Sequence, residues 1–134
     1  MNLMQKSDEG GERTSLRVIV IEDEALVIML LEDMLAQLGC QVVGLASHLD
    51  QAIDLATSAD ADLAILDVNL DGQDAYRVAE RLSARGIPFV FATGYGRSGM
   101  QHDLGERPAL QKPFRLEDLR RVIAEAMGGA DGKS

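Results

Sequence analysis

The 134-residue chain predicts an α/β fold, a five-stranded parallel sheet with helices on both faces. Three observations carry that prediction. Apolar runs such as "VIVI" (18–21) show no polar alternation and read as strands buried on both faces. Segments with an apolar stripe at helical spacing follow them. The two patterns alternate along the chain, with glycines at helix stops.

Each element follows in order. "RVIVIED" (17–23) is a first strand, and "EALVIMLLEDMLAQLG" (24–39) a helix closed by Gly39. "CQVVGLA" (40–46) is a second strand, followed by a helix over 48–59 on the spacing of Leu49, Ala52, Ile53, Leu55 and Ala56. "ADLAILDVNL" (61–70) is a third strand, apolar until Asp67, and 72–86 a third helix ending at Gly86. "IPFVFATG" (87–94) is a fourth strand, "PALQKP" (108–113) a short fifth, and 115–129 a terminal helix. Between them, 95–108 holds three glycines and no apolar stripe, so the fourth helix is expected to be weak or mobile. Residues 1–15 and 129–134 read as disordered tails around a single domain at 16–128.

The bulk properties exclude several classes. A net charge of −9 argues against nucleic-acid or anionic-membrane partners. The longest apolar run, "ALVIMLL" (25–31), is far short of the ~18 residues a bilayer span needs, and no apolar leader is visible. The single Cys40 cannot form an internal disulfide and fits a cytoplasmic protein; a small residue opening a buried strand is its simplest role.

In an open parallel sheet, ligands sit beyond the carboxyl ends of the strands, where strand order reverses. Glu22 and Asp23 end the first strand, Asp67 the third, Thr93 the fourth and Lys112 the fifth, so all five fall on one edge. Like charges about 4 Å apart cost about 4 kcal/mol at an effective dielectric near 20. Three carboxylates there call for a cation of oxygen preference. Mg²⁺ suits them, since it takes one or two carboxylates and keeps waters that phosphate oxygens can replace. His48 and His102 lack ligand spacing and read as surface residues. A carboxylate beside Mg²⁺, an ammonium and a hydroxyl is equipped to accept a phosphoryl group. Asp67 is the expected nucleophile because it stands alone at a central strand end, whereas Glu22 and Asp23 form a pair suited to metal.

The ordered set "VIVIEDE", "LAILDVNL", "FVFATG" and "LQKPF" resembles the response regulator receiver domain, the CheY-like form of the flavodoxin-like fold, over residues 16–128. The resemblance implies that Asp67 is the phosphoacceptor of a two-component system. It implies that Glu22, Asp23 and the Asn69 backbone carbonyl hold Mg²⁺ with Asp67, that Thr93 and Lys112 contact phosphoryl oxygens, and that the Lys112–Pro113 bond is cis. It further implies self-assisted, Mg²⁺-dependent phosphorylation and dephosphorylation, with no substrate turnover of the kind an enzyme performs.

Several positions depart from the family pattern. Glu22 stands where Asp is at least as usual, Asp71 where many receivers carry Pro, and Ala109 where many carry the aromatic that moves as the threonine engages phosphate. "FATGYG" resembles a subgroup, the FATGUY-type receivers, marked by Phe-Ala-Thr-Gly, a hydrophobe and Tyr. The match fails at the last place, because Tyr95 comes one residue early and Gly96 fills the Tyr position. Thr93 and Tyr95 are therefore the candidate switch residues. The subgroup implies a poorly ordered fourth helix and sensor kinases of the HWE or HisKA2 class.

On the first helix, Val27, Leu30, Leu31, Met34, Leu35 and Leu38 form a stripe expected to face the sheet. Leu26 and Met29 then point away from the sheet, beside the acidic pocket, where either crowding simply buries them or they form part of a docking patch for a histidine kinase or phosphotransfer protein. Arg120 and Arg121 read as a solvated face. The resulting expectation is a stand-alone receiver that signals through phosphorylation-dependent protein contacts, with no output domain expected after 128. A phosphate sink and a pseudo-receiver that never takes phosphate are the alternatives. A flavodoxin-like cofactor binder would need a phosphate-cradling loop where this chain has Glu-Asp-Glu, and an aspartate-based phosphohydrolase would need a cap insertion.

Overall fold

The computed structural model describes residues 15–70, 73–94 and 108–128. The predicted fourth helix, the tail segments 1–14 and 129–134, and Asp71, Tyr95, Gly96 and His102 lie outside them. The strands and helices are β1 (Arg17–Ile21), α1 (Ala25–Gln37), β2 (Gln41–Ala46), α2 (Leu49–Ser58), β3 (Leu63–Asp67), β4 (Asn69–Leu70) and β5 (Gln73–Asp74). They continue with α3 (Tyr76–Ala84), β6 (Phe89–Thr93), β7 (Ala109–Gln111) and α4 (Leu116–Ala126). No helix among the described residues is long and apolar enough to cross a membrane.

Five strands form one sheet in the order β2-β1-β3-β6-β7, and every pairing is parallel. Alternate side chains of the three inner strands feed two separate cores. Ile19, Ile21, Ala64, Leu66, Phe89 and Phe91 meet Ala52 and Ala56 of α2 and Val78 and Leu82 of α3. Val18, Val20, Leu63, Ile65 and Val90 meet Leu31 and Leu35 of α1 and Leu119 and Val122 of α4. Phe89 and Phe91 pack edge-to-face at 5.3 Å. Burial on both faces is why β1, β3 and β6 read as unbroken apolar runs.

The boundaries differ from expectation in instructive ways. The predicted third strand splits: β3 stops at Asp67, and Asn69–Leu70 instead pairs antiparallel with Gln73–Asp74. That ribbon occupies the residues expected to start the third helix, which begins at Tyr76. Gly39 does close α1, in the left-handed region at φ 79°. Leu30 is not part of the buried stripe. It lies one residue, about 100° of helix, from Leu31, and is 40% exposed while Leu31 is fully buried. Cys40 sits half-buried just before β2, and burial pushes its thiol pKa up, away from reactivity.

Candidate functional site

From β1 the chain crosses to β2 on one side and then to β3 on the other, so strand order reverses between β1 and β3. Glu22 and Asp23 follow the last residue of β1, and Asp67 is the last of β3. Thr93 ends β6, and Lys112 directly follows β7. Strand register does the rest. Asp67 lies opposite Ala92, and the Lys112 backbone N–H donates to the Thr93 carbonyl at 2.9 Å.

The five predicted residues therefore meet at one sheet edge. Glu22, Asp67 and Thr93 are 1%, 6% and 4% exposed. One carboxylate oxygen from each of Glu22, Asp23 and Asp67 lies within 4.8 Å of the others. Lys112 Nζ lies 3.0 Å from Glu22 Oε1 and 3.8 Å from Asp67 Oδ2. Burial draws the Lys112 pKa down, but contact with Glu22, the charges of Asp67 and Glu22, and the bond to Glu24 outweigh it and hold the ammonium above its ordinary 10.5.

Among the described residues, three acids against one near ammonium leave an excess of negative charge. Glu22 Oε1 is buried and accepts no hydrogen bond from the described residues; its 3.0 Å contact with Lys112 is an ion pair by distance only. Hard carboxylate oxygens in this number, without thiolate or imidazole among the described residues, fit Mg²⁺. Asn69, expected to add its carbonyl, opens β4 two residues beyond Asp67. The Lys112–Pro113 peptide is cis.

Residues 18–124 match the response regulator receiver domain family. The chain belongs to that family. It is 35% identical over 115 residues to the transcriptional regulatory protein PdtaR of Mycobacterium tuberculosis, covering 83% of this chain and 56% of that protein. It thus spans little more than half the length of that relative. The solution structure of SdrG from Sphingomonas melonis Fr1 is similar at a TM-score of 0.77 and 38% identity, covering 87% of this chain and 99% of that one. The receiver domain of the Pseudomonas aeruginosa sensor histidine kinase PA1611, solved with a magnesium ion coordinated in its active-site cleft, is similar at a TM-score of 0.73 and 25% identity over 86% and 99% of the two chains. Receiver domains are signalling phosphoacceptors of two-component systems, phosphorylated by histidine kinases or phosphotransfer proteins.

In this receiver, sequence reasoning overlooked Glu24. It precedes α1, and its Oε1 accepts a hydrogen bond from Lys112 Nζ at 3.2 Å. Its backbone N–H donates to Glu22 Oε2 at 3.0 Å. The signal was the third acid of "EDE", at the start of the first helical segment. The other predicted surface residues fall as expected. Leu26 and Met29 are 80% and 63% exposed, His48 is exposed before α2, and Arg120 and Arg121 are exposed and paired within α4 to Glu117 and Asp118. Ala109, where an aromatic was missed, is half-buried against the α2–α3 core.

Proposed function

We propose that this protein is a stand-alone response regulator that accepts a phosphoryl group on Asp67 from a sensor histidine kinase or phosphotransfer protein and signals by phosphorylation-dependent protein contacts. The observation that carries the reading is the gathering of Asp67, Glu22, Asp23 and Lys112 at the sheet's switch point, with Lys112 Nζ 3.8 Å from Asp67.

An Asp67 carboxylate oxygen attacks the phosphorus of a phosphohistidine. A P–O bond forms, the P–N bond breaks, and its electron pair returns to the imidazole, which takes up a proton. Lys112 neutralises charge on the transferred group, and the Thr93 hydroxyl donates to one of its oxygens. Glu22, Asp23, Asp67 and the Asn69 carbonyl hold Mg²⁺, which when bound supplies charge neutralisation for phosphoryl oxygens. The same groups assist hydrolysis of the aspartyl phosphate. Movement of Thr93 toward the phosphoryl group is the switch, and Tyr95, outside the described residues, is its candidate aromatic partner.

Leu26 and Met29 form the docking patch for the donor, supported by their exposure on the first turns of α1. The "FATG" motif supports a FATGUY-type receiver and an HWE or HisKA2 kinase. The free thiol of Cys40 supports a cytoplasmic location. The test is incubation with a small phosphodonor, with and without Mg²⁺, beside Asp67→Asn, read by intact mass. A Mg²⁺-dependent gain of one phosphoryl group, absent in the variant, is expected. No gain from small donors or from a kinase panel would leave a pseudo-receiver, and phosphorylation without any change in partner binding would leave a phosphate sink.

A further inference from the structure

Three acidic side chains surround one ammonium, and they do not share it equally. Lys112 Nζ is 3.0 Å from Glu22 and 3.2 Å from Glu24, but 3.8 Å from Asp67, beyond hydrogen-bond distance. The two near carboxylates also differ in kind. Glu22 is 1% exposed and tied by its second oxygen to the Glu24 backbone, so it cannot leave. Glu24 has its backbone held by that bond while its carboxylate is 62% exposed and can exchange its partner for water at little cost.

We infer that Glu24 is a positioning residue, a latch that holds Lys112 off Asp67 until a phosphoryl group displaces it. The inference rests on the reading of Asp67 as phosphoacceptor. A phosphoryl group on or approaching Asp67 brings charged oxygens into the gap on the Asp67 side of the ammonium. With three N–H donors, Lys112 keeps Glu22 and turns to the new acceptor. Glu24 is the ligand released, because it alone of the three is well exposed. The latch slows entry of phosphoryl groups, since each transfer must first break the Glu24 contact.

The test is a double-mutant cycle with phosphoramidate as donor and Mg²⁺ present. Glu24→Gln should raise the phosphorylation rate constant about three- to five-fold, the typical worth of a largely exposed ion pair. In a Lys112→Ala background the same change should do nothing. Glu32→Gln, which removes an exposed acid of α1 outside this cluster, should also leave the rate unchanged. Equal acceleration in both Lys112 backgrounds would mean general charge relief and overturn the latch. A second readout uses metal-free protein without donor. Hydrogen exchange of the Lys112 ammonium by ¹⁵N NMR should quicken about three-fold in Glu24→Gln, and unchanged exchange overturns the latch. If wild type itself takes no phosphoryl group, the Asp67 reading falls and the latch with it. If wild type is phosphorylated and Glu24→Gln behaves identically, the latch alone is wrong.

Discussion

Lys112 donates its backbone N–H to the carbonyl of Thr93 at 2.9 Å, so the two residues proposed to meet the phosphoryl oxygens are coupled through the backbone at adjacent strand ends. Thr93 lies opposite Gln111 in the ladder, and the chain continues from Gln111 into Lys112. A sheet edge holds both donors in register without requiring a loop to order first. That arrangement makes the site preorganised for charge and leaves the switching movement to side chains.

The acids at this edge repel one another without a metal. In metal-free buffer, Asp67→Asn should raise stability by roughly 1 kcal/mol by removing one of three neighbouring charges. Mg²⁺ at a hundred times its Kd should stabilise wild type by about 2.7 kcal/mol and the variant by much less. Urea titrations in EDTA and in Mg²⁺ measure both effects. A variant less stable than wild type in EDTA would show that Lys112 and the fold already compensate the charge.

The raised pKa of Lys112 sets the alkaline behaviour. The folded protein holds this proton more tightly than the unfolded chain, whose ordinary value is 10.5. The contribution to stability is therefore fully present below 10.5 and is lost as pH rises through the folded pKa above it. Urea midpoints from pH 8 to pH 11.5, estimated as the useful range about the ordinary lysine pKa, should fall more steeply in wild type than in Lys112→Met. Parallel curves would remove Lys112 from the account.

Leu26 and Leu31 stand on the same helix with opposite fates. Leu31→Ala should cost about 3 kcal/mol, as expected for a fully buried leucine. Leu26→Ala should change stability by less than about 0.5 kcal/mol. Leu26→Glu with Met29→Glu should keep phosphorylation from a small donor yet slow transfer from the cognate kinase at least about ten-fold, the scale of an interface hot spot. Equal loss with both donors would mean damage to the site and not to docking.

Gly44 in β2 leaves only a tight fit for a methyl group. A Cβ there would lie 3.0 Å from Ile19 Cγ2 and 3.1 Å from Leu55 Cδ2. Gly44→Ala should therefore destabilise by roughly 1–2 kcal/mol through overpacking between β1 and α2. Thermal or urea unfolding measures it, and Leu55→Ala in the same chain should recover part of the loss. No destabilisation would show that Leu55 moves aside freely.

Much of this protein was legible in its residues alone. The apolar runs "VIVI", "LAIL" and "FVFA" declared inner strands because a strand covered on both faces has no solvent side to mark. The acids, Thr93 and Lys112 declared the site because strand ends of a parallel sheet share one edge. Local chemistry determines such things, since side-chain polarity and strand termini are written along the chain. Only the tertiary structure decided that Leu30 sits exposed beside buried Leu31, that Asn69–Leu70 leaves the third strand to pair with Gln73–Asp74, and that Glu24 reaches Lys112. Each of these depends on where a neighbouring element comes to rest. The Glu24 contact joins residues far apart in sequence, and no periodicity within either segment encodes the 3.2 Å between them.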